Sequence, residues 1–387
     1  MGEPTVHTPA TPATPEPGGA AKSAVLLNPQ VVVQPGDYRD LYDAQPLVRR
    51  RFAEASEILG SDLAAAFFGA DPAAINSGRV VRPASLAIAA AIHETTVAGG
   101  DRPDYIAGLS LGSIVAGHLS GHMTFRDAVR MTHLMPVIED EVFAGHGLGV
   151  AFYYGVDLAR FEELMRAERE KGLVLSPCAY TAADQLILTG DLAALRVMNA
   201  HAPACGGVGV VIPHGPPAHS PLPVLHEVER RFAAEWRYLD PPRDPDVPLV
   251  CNLTGRPLRT AAEVTDSFIR QYSRTVHWER GVRAMAEWGV RRVTVIGPGH
   301  FVLKSLRFTD VDFEVTAYLG AGDLPEAGAV AGSGAERGAG AGAAASEAGA
   351  PGAAGAPAPG AAAGGAGATG AAGATGAAAT AAEGARR

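Results

Sequence analysis

The stretch Gly108-Leu-Ser-Leu-Gly112, a G-x-S-x-G pentapeptide, constrains this chain more than any other. An apolar run, Tyr105 to Ala107, leads into it, and an apolar-periodic segment, Leu111 to Leu119, leads out. That spacing predicts a strand, a sharp turn and a helix, which is the setting of a nucleophile elbow. Glycines on either side relieve the crowding around Ser110. The turn lifts the serine hydroxyl to a helix N-terminus, where the first backbone N–H groups point at a developing oxyanion. Ser110 is therefore the candidate nucleophile. Small residues also fill ordinary strand–helix turns, so the pentapeptide alone leaves an unreactive turn open.

An elbow of this kind needs a sheet to carry it, and composition limits how much chain can build one. Of the 387 residues, 1 to 22 are Pro/Thr/Ala/Gly-rich, and from Gly320 onward the chain becomes Ala/Gly/Pro repeats. Such segments cannot bury enough apolar area to offset the entropy of ordering. We therefore expect a disordered N-terminal extension over 1–22, a folded domain over 23–319 and a disordered tail over 320–387. The three cysteines, Cys178, Cys205 and Cys251, are far apart with no C-x-x-C. That pattern suggests core thiols in a reducing cytoplasm, with no disulfide and no metal site. No apolar run approaches the roughly 18 residues of a membrane span. The formal net charge of −9 argues against a nucleic-acid partner.

Within the folded part, Ala24 to Leu27 reads as a first strand ending at Asn28-Pro29. Asp40 to Leu59 has helical spacing and stops at Gly60. Ser85 to His93 reads as a buried helix, and the Gly99-Gly100 turn precedes the elbow. A further helix starts at Thr124, with Pro136 as a kink or restart. From Gly149 to Ile212 the pattern is β-α-β-β-α-β, the order of a ferredoxin-like unit. After Ala218-His-Ser-Pro-Leu222 come three helices, a strand over Val247 to Asn252 and a last core strand over Val293 to Ile296. The fold expected is α/β: an α/β-hydrolase-like large subdomain (23–145 and 214–319) with an inserted ferredoxin-like small subdomain (146–213).

Five segments in this order resemble one family. They are Arg39-Asp-Leu-Tyr42 with Phe52 to Gly60, Phe125 to Arg130, Ala218-His-Ser-Pro-Leu222, Asn252-Leu-Thr-Gly255 and Gly297-Pro-Gly299. The chain is similar to the malonyl-CoA:acyl-carrier-protein transacylases and the acyltransferase domains of polyketide synthases over about residues 24 to 315. The resemblance makes Ser110 the nucleophile and His219 its general base. It puts the oxyanion hole at the N–H groups of Gln30 and Leu111, and gives Gln271 the role of orienting His219 through its backbone carbonyl. It implies no bound cofactor: the substrates are phosphopantetheine thioesters of an acyl carrier protein, or of CoA. It further implies a monomer with carrier proteins as partners, docking on the cations Arg283, Lys304 and Arg307.

The departures from the family pattern bear on the substrate. The family's first loop, G-Q-G-S-Q, is Pro29-Gln-Val-Val-Val33 here, and in the elbow Leu109 and Ser113 replace a His and a Glu. The arginine that clamps the malonyl carboxylate falls at Met135. A buried carboxylate without its partner costs roughly 3–5 kcal/mol, so Met135 and Leu109 suggest a pocket for a neutral acyl group. This suits a discrete, trans-acting acyltransferase that moves an aminoacyl or peptidyl-type group between carrier proteins, as in macrolactam antibiotic pathways. Other readings are a proofreading acyl hydrolase, a malonyl transacylase, and a catalytically quiet carrier-binding scaffold.

Overall fold

The strand β1 (Lys22–Leu27) is the axis of the large sheet in the computed structural model, which describes residues 21–96 and 102–324. Ala24 to Leu27 are each no more than 2% exposed. An unbroken apolar run of this kind suits a central parallel strand covered on both faces. The remaining strands are β2 (Tyr105–Gly108), β3 (Leu148–Tyr154), β4 (Leu175–Ala182), β5 (Gln185–Asp191) and β6 (Val208–Val211). They continue with β7 (Leu249–Val250), β8 (Pro257–Leu258), β9 (Val276–His277), β10 (Val290–Ile296) and β11 (Glu314–Tyr318). The large sheet has the order β11-β10-β1-β2-β7-β8, parallel except for β8. Register matters here: Leu27 pairs with both Gly108 and Ile296. The loops after β1, β2 and β10 therefore leave the sheet side by side at its C-terminal edge, where open α/β sheets place their sites.

The second sheet has the order β6-β3-β5-β4-β9. Its first four strands are antiparallel and carry the helices Leu158–Glu170 and Leu192–His201, the expected ferredoxin-like unit. β9 comes from a later part of the chain and pairs parallel with β4. Tyr153 and Phe161 stack within this unit's own core, with ring centroids 4.7 Å apart.

Several local expectations shift. The helix over Asp40 to Leu59 is two helices, Arg39–Ala44 and Pro46–Leu59, because Pro46 disfavours a helical Gln45 and suits a first helical position. The buried helix runs from Gly78 to Thr96, through Pro83, and so includes Arg82. The helix Phe125–Val142 is capped by Thr124 and passes Pro136 without a restart. The strand expected over Val247 to Asn252 shortens to β7. Ile296 does not close the sheet. β11 follows, a half-exposed edge strand whose Glu314-Val-Thr-Ala-Tyr318 sequence lacks an apolar run.

The limits assigned to the two ends also move. β1 starts at Lys22, whose N–H donates to the Gly289 carbonyl. At the other end, Gly320 to Leu324 are placed, because the Asp323 carboxylate accepts the N–H groups of Leu319 and Gly320 at 2.8 and 3.1 Å. The rest of both extensions, and the Gly99-Gly100 turn, lie outside the described residues. Among the described residues no helix is long and apolar enough to cross a membrane.

A Cβ added at Gly108 would come 2.0 Å from the backbone of Gly112. Gly108→Ala should therefore lower the thermal midpoint by at least about 2 °C, since overpacking costs about 1–3 kcal/mol or more. Gly147→Ala, where a Cβ meets nothing within 4 Å, should leave it unchanged. Differential scanning calorimetry on both variants checks this. Equal midpoints would mean that the elbow is not tightly packed.

Candidate active site

Ser110 sits between β2 and the helix Leu111–Leu119, with φ 56° and ψ −117°. For a residue with a Cβ this is a sparsely populated, strained conformation. It persists because the backbone around it is so closely packed: a Cβ at Gly112 would lie 2.6 Å from the Leu27 carbonyl oxygen. The strain turns the serine hydroxyl out of the sheet edge and into a cavity of about 790 Å³. Cys178, Ala179 and Ile187 of the ferredoxin-like unit also line it.

The hydroxyl meets a histidine there. Ser110 Oγ is 2.7 Å from Nε2 of His219, and His219 Nδ1 is 2.6 Å from the backbone carbonyl of Gln271. A carbonyl can only accept, so Nδ1 carries the proton and the neutral ring presents an Nε2 lone pair to the serine O–H. Burial pushes the His219 pKa down to about 4, against a smaller opposing effect from the Gln271 carbonyl. The ring is therefore a free base at neutral pH. His219 itself has φ 53° and is held in the proline-rich segment before the helix Pro223–Glu235.

Gln271 is buried at the end of the helix Ala261–Arg270. Its side-chain oxygen accepts from Ser113 Oγ at 3.1 Å, and Ser113 also lies 2.7 Å from the Ser110 carbonyl. The serine standing where the resemblance has a glutamate thus links the elbow to the segment that orients His219. Leu111 opens the elbow helix, so its N–H has no acceptor within that helix. The Gly112 N–H, by contrast, is taken by Leu109 at 2.9 Å. Gln30, Leu109 and Met135 line the cavity with Ser110 and His219.

The three candidate docking cations are not equivalent. Lys304 is exposed and lines the cavity, and Arg307 is exposed at the end of the same helix, Phe301–Leu306. Arg283 lies on the helix Trp278–Glu287, 3.9 Å from Asp310, and does not line the cavity. Arg130 is also away from it: the buried Asp127 holds it at 2.8 Å, over the ring of Trp236.

Sequence reasoning missed two groups. Asn28 donates to the carbonyls of Ile296 and Gly299 at 3.1 and 3.0 Å and accepts from the Val302 N–H at 2.9 Å. It thereby clamps the end of β1 to the Gly297-Pro-Gly299 loop. The second group is Arg82, which reaches the cavity from the helix Gly78–Thr96. It meets Glu139 in a two-pronged pair at 2.8 and 2.6 Å, and its Nε donates to the Gln30 side-chain oxygen at 2.6 Å. An arginine inside the apolar Val80-Val-Arg-Pro-Ala84 was the available signal.

No protein-family model matches the chain. The malonyl CoA-acyl carrier protein transacylase of Escherichia coli K12 is 29% identical over 267 residues, which are 68% of this chain and 85% of that relative. A solved malonyl-transacylase, in complex with a type II polyketide synthase acyl-carrier protein, matches with TM-score 0.71 at 24% identity. That match covers 79% of this chain and 98% of the other. The acyltransferase domain from the second module of the salinomycin polyketide synthase gives 0.65 at 25%, covering 78% and 70%.

The state of His219 sets a pH profile for Ser110. Labelling by a serine-directed fluorophosphonate should be level down to pH about 5 and fall as the ring takes a proton near pH 4. His219→Gln should slow it by at least about 100-fold. Labelling rates followed by intact mass test both. An inflection near the ordinary histidine value would mean that the ring is not held neutral by burial.

Proposed function

We propose that this chain, whose homologues are the malonyl-CoA:acyl-carrier-protein transacylases and the acyltransferase domains of polyketide synthases, transfers acyl groups between phosphopantetheine thioesters through an ester on Ser110. The observation that carries this reading is the hydrogen-bonded line from Ser110 Oγ through His219 to the Gln271 carbonyl, opening on the cavity. Nε2 takes the hydroxyl proton as Oγ attacks the thioester carbonyl. The Leu111 and Gln30 N–H groups receive the oxyanion. The imidazolium then protonates the leaving thiolate, and the incoming carrier thiol reverses the sequence. Because burial disfavours the imidazolium, it lasts only while the oxyanion stands close by.

The acyl group we propose is non-carboxylated, of aminoacyl or peptidyl type, and the enzyme acts in trans on discrete carriers of a polyketide pathway. The state of Arg82 supports this. It is the arginine that lines the cavity, but Glu139 already neutralises it, and both are buried. A malonyl carboxylate placed there would face Glu139 as well as Arg82, and breaking such a pair costs roughly 3–5 kcal/mol. Met135, one helical turn before Glu139, adds adaptable apolar surface. Lys304, which lines the cavity, and Arg307, exposed at the end of the same helix, suit an acidic carrier protein.

Incubation with malonyl-, acetyl- and aminoacyl-pantetheine thioesters, followed by intact mass with and without a holo carrier protein, tests the proposal. The expected result is an adduct on Ser110 from the non-carboxylated donors, loaded at least about 100-fold faster than malonyl, and its passage to the carrier. Preferential malonyl loading would overturn the substrate class. Release of free acid despite an acceptor would make the protein a hydrolase. Absence of any adduct would leave a carrier-binding scaffold.

A further inference from the structure

One part of the cavity lining is polar in a way the acyl-transfer chemistry does not use. Arg82, Glu139 and Tyr272 line it, and they are only 5%, 6% and 4% exposed. Gln30, Arg82, Glu139 and Pro216 also line a second cleft of about 230 Å³. The ion pair is therefore a partition between two spaces and not part of the packed core. Tyr272 follows Gln271 directly, and its ring packs on Phe232 with centroids 5.2 Å apart. Its buried hydroxyl has no hydrogen-bond partner among the described residues. An unpaired buried hydroxyl costs about 1–3 kcal/mol, so a fold that keeps one beside a cavity has a use for it when the cavity is filled. Burial, and then the Glu139 charge, hold this hydroxyl protonated, so it can donate.

We propose that Tyr272 and the Arg82–Glu139 pair form a recognition site for an amide within the acyl chain. This rests on the reading of the protein as a non-carboxylated acyl transferase, and it specifies the acyl group. Three N–H groups of Arg82 are in use, by Gln30 and Glu139, and the rest of the guanidinium fork remains free to donate. The Glu139 oxygens each accept one bond from Arg82 and keep further lone pairs. An amide matches this wall because its carbonyl accepts from Tyr272 or Arg82 while its N–H donates to Glu139. A carboxylate meets the charge of Glu139, an ammonium meets that of Arg82, and a hydrocarbon leaves the Tyr272 hydroxyl unpaired. A buried site built to hydrogen-bond a ligand discriminates chiefly against the analogue that lacks the polar group.

The test uses the full chain and a matched pair of pantetheine thioesters. One carries an acyl chain with an internal amide; the other is its isostere with CH2–CH2 in place of CO–NH. A malonyl thioester is the third arm. Intact mass at early times gives kcat/KM for loading of Ser110. The amide donor should load at least about tenfold faster than the isostere. Tyr272→Phe should lower that ratio at least about threefold, by slowing the amide donor more than the isostere. Its thermal midpoint should be unchanged or higher, because the substitution removes an unpaired buried hydroxyl. Equal loading of amide and isostere by the wild type, or an equal slowing of both by Tyr272→Phe, would overturn the proposal. Faster loading of malonyl than of either would sink the underlying substrate class, whereas the amide-to-isostere ratio tests the recognition site separately.

Discussion

The close approach of three backbone segments underlies everything at this site. The end of β1, the end of β2 and the first turn of the elbow helix come so near that neither Gly108 nor Gly112 has space for a Cβ. The parallel register that aligns Leu27 with Gly108 and Ile296 brings them to one level. With no room for relaxation, Ser110 is held at a positive φ that an isolated chain would avoid. The strain belongs to the positioning of the nucleophile: the serine is exposed to the cavity because its backbone has nowhere else to go. Asn28 extends the same constraint sideways by fixing the loop after β10 to the end of β1.

On that frame the electrostatics are sparse. His219 is oriented by a backbone carbonyl, and no carboxylate hydrogen-bonds to it among the described residues. Its basicity is set by burial, which keeps the ring neutral and its Nε2 free. A low-pKa base is a weak one, so proton transfer from Ser110 depends on geometry, the 2.7 Å contact, and on the oxyanion donors. The stronger charges in the cavity wall are those of Arg82 and Glu139, and the Arg82 charge adds to burial in lowering the His219 pKa. The two neutralise each other: burial works to lower the guanidinium pKa, and the facing carboxylate more than offsets it.

How much of this could be read from residues alone follows from the range of each interaction. The G-x-S-x-G turn, the capping Thr124 and the helix ending at Gly60 act within a few residues, and each stands where its local pattern predicts. The β-α-β-β-α-β order was equally legible, since each strand and helix of the unit is marked by a local run of its own residues. β11 was not legible, because an edge strand with polar residues has no buried face to mark it. Nor was the placement of Gly320 to Leu324, which depends on the single carboxylate of Asp323.

By itself the sequence determined the elbow, the subdomain order and an apolar Met135 in the helix after the elbow, all of them matters of which residue occupies which position. Tertiary structure alone decided which charges line the cavity. Arg82 and Glu139 are 57 residues apart and meet only because the helices Gly78–Thr96 and Phe125–Val142 pack side by side. Tyr272 reaches the same cavity from the turn after a third helix, Ala261–Arg270, in the segment that also orients His219. No periodicity encodes such a meeting. It arises from helix packing, which brings distant polar groups together in a buried place where each must be paired or left waiting for a ligand.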